Sequence, residues 1–213
     1  GGFLYDYAAL PNVDLSAEWW NRSATEQLRL GKKTLYAVSD YMIPCPYVIV
    51  FNKDIVRDNE MENPYELVYA GEWTIDKLIS LVRDTATLQD ETHDADGNIY
   101  GFTSHYQVHA YDGFLAAFDI DLTQVSDKGK HTLLNSTAQR KLQKAADKLV
   151  TFYRSNDAYL VGNNANDVTY GGSYTTPVAA FRQGRSIFCS AAVGDYKHLS
   201  EMPVDRASER VSP

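Results

Sequence analysis

The stretch Tyr41–Asp54, YMIPCPYVIVFNKD, decides how the rest of the chain is read. Pro44 and Pro46 flank Cys45. Proline fixes its own φ and pushes the preceding residue into extended backbone, so the segment is predicted to be a stiff crossing. It leads into Val48-Ile49-Val50-Phe51, a β-branched and aromatic run without polar alternation. Such a run predicts a strand covered on both faces, as in α/β proteins. Asn52-Lys53-Asp54 breaks the strand and can open a helix. A crossing that becomes a buried strand predicts passage from one lobe into the next.

At 213 residues the chain can bury a sizeable core. Its 44% hydrophobic and 23% charged content is that of a soluble globular protein. A formal charge of −8 argues against nucleic acid and anionic membrane as partners. No apolar run approaches a membrane span in length. Cys45 and Cys189 are read as two buried free thiols, with a disulfide between them as the alternative. The 15 tyrosines exceed what a core needs, and a phenol favours a partly wet position. Stacking on sugar rings is one use of such residues, and exposed packing is the other.

Working outward, Ser16 is predicted to cap a short helix through Trp19 and Trp20. Adjacent residues on a helix point about 100° apart, so both indoles rarely bury in one core: one goes to the core, and the other packs on a lobe or serves as a sugar platform. Gly31-Lys32-Lys33 predicts a turn and Thr34–Val38 a strand after it. Asp40 and Tyr41 follow at the end of that strand, where ligands of open α/β sheets collect. A carboxylate there can accept two hydroxyl hydrogen bonds, so Asp40 is the first candidate ligand residue.

Thr74 is predicted as an N-cap, and Ile75, Leu78, Ile79 and Val82 form one apolar helix face. Asp90–Asn98 places Asp94, Asp96 and Asn98 at every second position, but without the glycine and glutamate positions of a calcium loop it is read as a turn. Ile99–Thr103 is predicted as a strand. The loop after it carries Tyr106, Gln107, His109 and Tyr111, and Asp112 caps a helix carrying Phe114, Leu115 and Phe118. Ser136 and Gln139 match a capping box for a helix to Arg154, with Ala138, Leu142, Ala145, Leu149 and Phe152 as its buried stripe. Asn156–Tyr174 is read as a long loop, Thr176–Pro177 as a helix start, Gly184 as its end, and Arg185–Ala192 as a strand. Asn21 and Asn135 open glycosylation sequons by pattern alone. No phosphate loop, nucleophile elbow or zinc spacing is present.

Four segments together resemble one family. Phe51-Asn52-Lys53-Asp54 is similar to its strand end. Asn63–Leu67 with Trp73–Leu78 is similar to its "P-x-T-W-D-E-L" region. Asp96–Gly101 is similar to its "D-G-x-x-Y-G" turn, and Phe181–Phe188 to its helix-to-strand turn. The family is the extracellular solute-binding proteins, family 1, of ABC sugar importers (maltose-binding-protein-like). The resemblance covers about residues 28–202, and it implies that further N-terminal and C-terminal portions lie outside this chain.

The resemblance implies a two-lobed α/β fold of the periplasmic-binding-protein-like type II. Residues 1–44 would be the end of the first lobe, 45–202 the second lobe, and 203–213 an irregular tail. Pro44, Cys45 and Pro46 would be the hinge. The implied ligand residues are Trp20, Asp40, Tyr41, Gln107, Tyr111, Asp195 and Tyr196. Where family members present an aromatic to the sugar, this chain has Gly194, with Tyr196 close by. The implied function is capture of a carbohydrate by lobe closure and its delivery to the permease subunits of an ABC importer. The protein would be a monomer at the cell surface, lipid-anchored or periplasmic, with no catalytic residue, cofactor or metal. A glycoside hydrolase or lyase with a carboxylate pair is the alternative, as is the same fold with a peptide or other non-sugar ligand.

Overall fold

The computed structural model describes residues 3–41, 46–88, 98–105, 108–126, 130–161 and 176–193. Among them it is mixed α/β, with seven α-helices and two small sheets. The chain divides into two compact units: Gly1–Pro44 with Asp119–Lys141, and Cys45–Phe118 with Leu142–Pro213.

In the first unit, polar side chains do most of the local organising. The Asp6 carboxylate accepts from the Ala8 backbone N–H and also from Thr34 N–H at 3.0 Å. This caps a 3₁₀ turn at Tyr7–Ala9 and ties it to the 34–38 segment. Asn21 caps α1 (Arg22–Gln27) by accepting from Ala24 N–H. The buried Thr25 hydroxyl oxygen accepts from Val38 N–H. A hairpin, β3 (Thr123–Val125) and β4 (His131–Leu133), completes the unit, and the His131 Nε2 meets the Arg29 carbonyl at 3.1 Å.

Two expectations fail here. Thr34–Val38 forms no strand. Its hydrogen bonds go singly to separate segments, Thr34 to Tyr7 and Val38 to Asn21, so no ladder builds. Residues 16–20 form turns rather than a helix, because the Asp14 carboxylate takes both the Ser16 N–H and its hydroxyl. That side-chain turn competes with a helix start.

The second unit is built on a four-stranded sheet in the order β1-β6-β2-β5: β1 (Tyr47–Phe51), β6 (Ser186–Ala192), β2 (Tyr100–His105) and β5 (Ala158–Val161). β1 runs antiparallel to β6, with Phe51 opposite Phe188 and Val50 opposite Cys189. β6 and β5 both run parallel to β2. β1 had been predicted to be covered on both faces. It is instead an edge strand with Val48 39% exposed, and the strand buried throughout is β6, from Ser186 to Ala191. An apolar run alone does not distinguish an edge from a centre, since that depends on which strands pair with it.

Helices cover both faces. Phe188 and Cys189 are successive residues of β6 and so point to opposite sides. Phe188 packs with Val56 of α2 (Lys53–Asp58), Leu78 and Val82 of α4 (Ile75–Val82) and Phe152 of α6 (Ser136–Tyr153). Cys189 packs with Val178 and Phe181 of α7 (Thr176–Arg182). Ring contacts knit the first face: Phe102 lies 5.5 Å from Phe152, and Trp73 5.9 Å from Phe188. Burying the full-size rings Phe102 and Phe188 contributes roughly 2–3 kcal/mol each.

The cap at Thr74 and the helix start at Asn52 are as predicted, and the cap at Asn63 is an addition. Thr74 accepts from Lys77 N–H at the start of α4, and Asn52 accepts from Asp54 and Ile55 N–H at the start of α2. α3 (Pro64–Tyr69) is capped by Asn63, with Pro64 in its first turn. At α6 the cap is Asn135 rather than Ser136. Asn135 Oδ1 accepts from Thr137 and Ala138 N–H, and the Gln139 side chain donates to the Leu134 carbonyl. α5 (Val108–Ala117) begins well before Asp112, which therefore lies inside the helix and caps nothing.

Candidate functional site

The predicted ligand residues of the first unit are Trp20, Asp40 and Tyr41. Backbone pairing brings them together: Trp20 forms an isolated antiparallel bridge with Ser39, and Asp40 N–H donates to the Trp19 carbonyl at 2.9 Å. Trp20 is half-buried and meets Tyr7 edge-on at 6.4 Å. The open indole is its neighbour Trp19, 56% exposed, beside an exposed Asp40 and a Tyr41 that is 92% exposed. An indole face can stack on the C–H face of a pyranose, and a carboxylate can accept two of its hydroxyls. Of the two indoles it is Trp19 rather than Trp20 that is open to solvent.

An open groove of about 870 Å³ also lies in this unit. Glu26, Arg29, Asp121, Gln124 and His131 line it, so it carries polar groups without an indole or phenol for stacking.

In the second unit, topology marks the place. After β2 the chain reaches β5 through α6 on one face, and after β5 it returns to β6 through α7 on the other. The connections from two adjacent parallel strands therefore leave toward opposite faces. Ligands of open α/β sheets bind at such a switch point, outside the carboxyl ends of the strands. Ser104, fully buried near the end of β2, lies there.

Tyr111 was expected in a loop and lies in α5, because the helix starts at Val108. It remains close to the switch point. Its ring meets Tyr153 of α6 edge-on, with centroids 5.8 Å apart and planes at 82°. Burial pushes the Tyr111 phenol above the ordinary tyrosine value. Burial raises Tyr153 much further; Ser104 pulls it back in part, and nearby Tyr111 adds to the rise. The Tyr153 hydroxyl is closed off from solvent and faces Ser104. A helix side chain leans toward its helix N-terminus. That lean carries the Tyr153 ring past Phe102, at 6.1 Å, toward Ser104. Tyr153 went unremarked in the sequence, although it adjoins Phe152 on the inward stripe, where a phenol brings a polar tip into the core.

Gln107, Asp195 and Tyr196 lie outside the described residues, as do Pro44 and Cys45 of the crossing and the 203–213 tail. Pro46 is exposed, and its carbonyl accepts from Val193 N–H at 3.0 Å, one step beyond the β1–β6 ladder. Cys189 is buried, and its Sγ–H donates to the Ser190 carbonyl at 3.5 Å. Among the described residues no group of three or more His, Cys, Asp or Glu could hold a metal ion, and no helix is long and apolar enough to cross a membrane. Among the described residues, two carboxyls are displaced, both downward: Asp14 by its hydrogen bonds from Ser16, and Asp119 by Lys141. Against protein-family models and against curated proteins, the chain finds no match.

Proposed function

We propose that the chain belongs to a two-lobed, type II periplasmic-binding-protein-like receptor that captures a carbohydrate and hands it to the permease of an ABC importer. Pro44, Cys45 and Pro46 serve as its hinge, with closure trapping the sugar. The protein works outside the cytoplasm, as a lipid-anchored or periplasmic monomer.

The observation that carries this proposal is the switch point of the second unit, with Tyr111 beside it, in a sheet whose helices cover both faces. Two further features support it. One of the three points at which the chain passes between the units falls at Pro44–Cys45, in the predicted crossing; the others are Phe118–Asp119 and Lys141–Leu142. The first unit carries an exposed indole, carboxylate and phenol at Trp19, Asp40 and Tyr41, just before that crossing.

The test is a tryptophan-fluorescence titration of the folded chain with glucose, maltose, cellobiose and xylobiose. A saturable change is expected with at least one of them. Asp40→Ala should weaken that binding by about 10-fold or more, the loss expected for hydrogen bonds to a charged acceptor. Turnover of aryl glycosides would replace the proposal with a hydrolase. A response to peptides and to no sugar would move the ligand to another class.

A further inference from the structure

Helix α3 buries one side, through Pro64 and Leu67, and leaves the other uncovered. Tyr65, Val68 and Tyr69 stand at i, i+3 and i+4, so they share one helix face. They are 48%, 54% and 89% exposed. Tyr65 also lines a groove of about 400 Å³ with Phe51, Val56 and Met61, so apolar surface runs from the groove onto the helix. Phe51 meets the Tyr65 ring edge-on at 5.1 Å, and the Lys53 ammonium lies over that ring at 5.3 Å. Single exposed apolar side chains are ordinary, whereas a continuous patch marks an interaction surface.

The charges around this face name the kind of partner. Residues 58–76 carry Asp58, Glu60, Glu62, Glu66, Glu72 and Asp76 and no Lys, Arg or His. Asp58, Glu62 and Asp76 are met by Arg57, Lys77 and Lys148. Glu60, Glu66 and Glu72 enter no ion pair among the described residues. They stand before α3, on it and just after it. A second copy docked here would set the same carboxylates against one another, and an anionic membrane or nucleic acid would be repelled. A cationic polypeptide would be attracted.

We propose that the α3 face and its groove dock a cationic amphipathic helix of a partner protein. Its apolar side chains sit on Tyr65, Val68 and Tyr69 and reach into the groove, and its lysines or arginines face Glu60, Glu66 and Glu72. Helix-in-groove recognition uses anchors at this spacing, and the open Tyr69 ring offers a cation a further contact. The surface lies wholly within the second unit, and its docking role does not depend on carbohydrate binding.

The probe is a fluorescein-labelled helical peptide of leucines and lysines with one leucine face; its counterpart has glutamate in place of every lysine. Fluorescence anisotropy follows both against full-length wild type, Tyr69→Ala, Glu66→Gln and, as a control on the first unit, Leu133→Ala, which is an 81% exposed position. Circular dichroism confirms that each is folded. The wild type should bind the lysine peptide saturably and the glutamate peptide not at all. Tyr69→Ala should weaken binding about 10-fold, as for an aromatic anchor. Glu66→Gln should weaken it about 2- to 5-fold at low salt and less at high salt, as for an exposed charge pair. Leu133→Ala should bind as the wild type does. Absence of saturable binding by the folded wild type would overturn the assignment. So would equal affinity in Tyr69→Ala, an equal loss in Leu133→Ala, or equal binding of the glutamate peptide. A dimer in sedimentation that Tyr69→Ala abolishes would give the face to a second copy and overturn it as well.

Discussion

Gly101 is the position where the packing of the second unit can be tested most sharply. It lies on β2 between the buried Tyr100 and Phe102, where α4 comes closest to the sheet. A Cβ at this position would stand 2.5 Å from the Val82 Cβ, 2.6 Å from the Thr85 Oγ1 and 3.0 Å from the Val82 carbonyl. None of these atoms is the loose end of a side chain. Val82 is fully buried, and the Thr85 hydroxyl donates to the Val82 carbonyl at 2.6 Å. Gly101→Ala must therefore push β2 and α4 apart. Overpacking of this kind costs about 3 kcal/mol, which in a chain of this size lowers the melting temperature by about 6–12 °C. Gly71→Ala is the matched control. It has φ +72° but nothing within 4 Å of a new Cβ, so only the left-handed backbone is strained, at about 1 kcal/mol. A Trp19→Phe, Trp20→Phe background leaves Trp73, which packs on Phe188, as the sole indole reporting on this core. Urea and thermal unfolding followed by its fluorescence would give both values. If Gly101→Ala melted within 1 °C of its parent, the close approach of β2 to α4 would be refuted, and with it the layer that positions the switch point.

Other expectations follow from single features. Asn52→Ala should cost about 2 kcal/mol in urea unfolding, because a buried cap for two N–H groups is lost, while Asn52→Asp keeps the accepting oxygen and should cost less. Val48→Thr on the edge strand should stay within about 0.5 kcal/mol of the parent, whereas Ile187→Thr in the buried β6 should cost about 2–3 kcal/mol. The Asp119 carboxyl is held below its ordinary value, first by a hydrogen bond from Lys141 and then by its charge. A depressed folded-state pKa contributes stability above the unfolded value, and that contribution disappears as pH falls through the folded one. Lys141→Gln should move the Asp119 titration, read by NMR, upward toward the ordinary carboxyl value, and added salt should move it the same way in the parent.

Signals that act within a few residues were legible in the sequence. Thr74 and Asn52 were readable as helix starts because a cap needs only its own oxygen and the next three N–H groups. The same rule left Asn135 and Ser136 competing for one helix. Both are good caps, and which of them adopts extended backbone is settled by the turn before them. Asn21 was passed over for a related reason: a six-residue helix offers too short an apolar period to reveal itself, and its asparagine also fits a sequon. Long-range pairing was less legible. Thr34–Val38 has the alternation of a strand, yet a ladder needs one continuous partner, and this segment meets two different ones. The Val48–Phe51 run is equally apolar whether it sits at the edge or the centre of a sheet, and only its antiparallel pairing with β6 alone places it at the edge.

The candidate site shows the same division at finer grain. Asp40 could be singled out as a candidate because its neighbourhood is local: a turn, a short extended segment, and the start of a proline-stiffened crossing. Tyr111 was singled out as a loop residue and lies instead in α5. It lies close to the carboxyl end of β2 because α5 follows closely on that strand. Tyr153 had no such neighbour in sequence to reveal it. Its approach to Ser104 depends on α6 crossing one face of the sheet while α7 crosses the other, and that arrangement depends on β5 and β6 flanking β2 on opposite sides. A stripe of inward residues reveals that Phe152 is core, but it cannot show that the adjacent phenol ends beside a strand terminus rather than in solvent. Strand order is therefore the information that places an aromatic on a helix at the end of a strand. A sequence without a family-model or curated match reaches that information through the register of its buried strands.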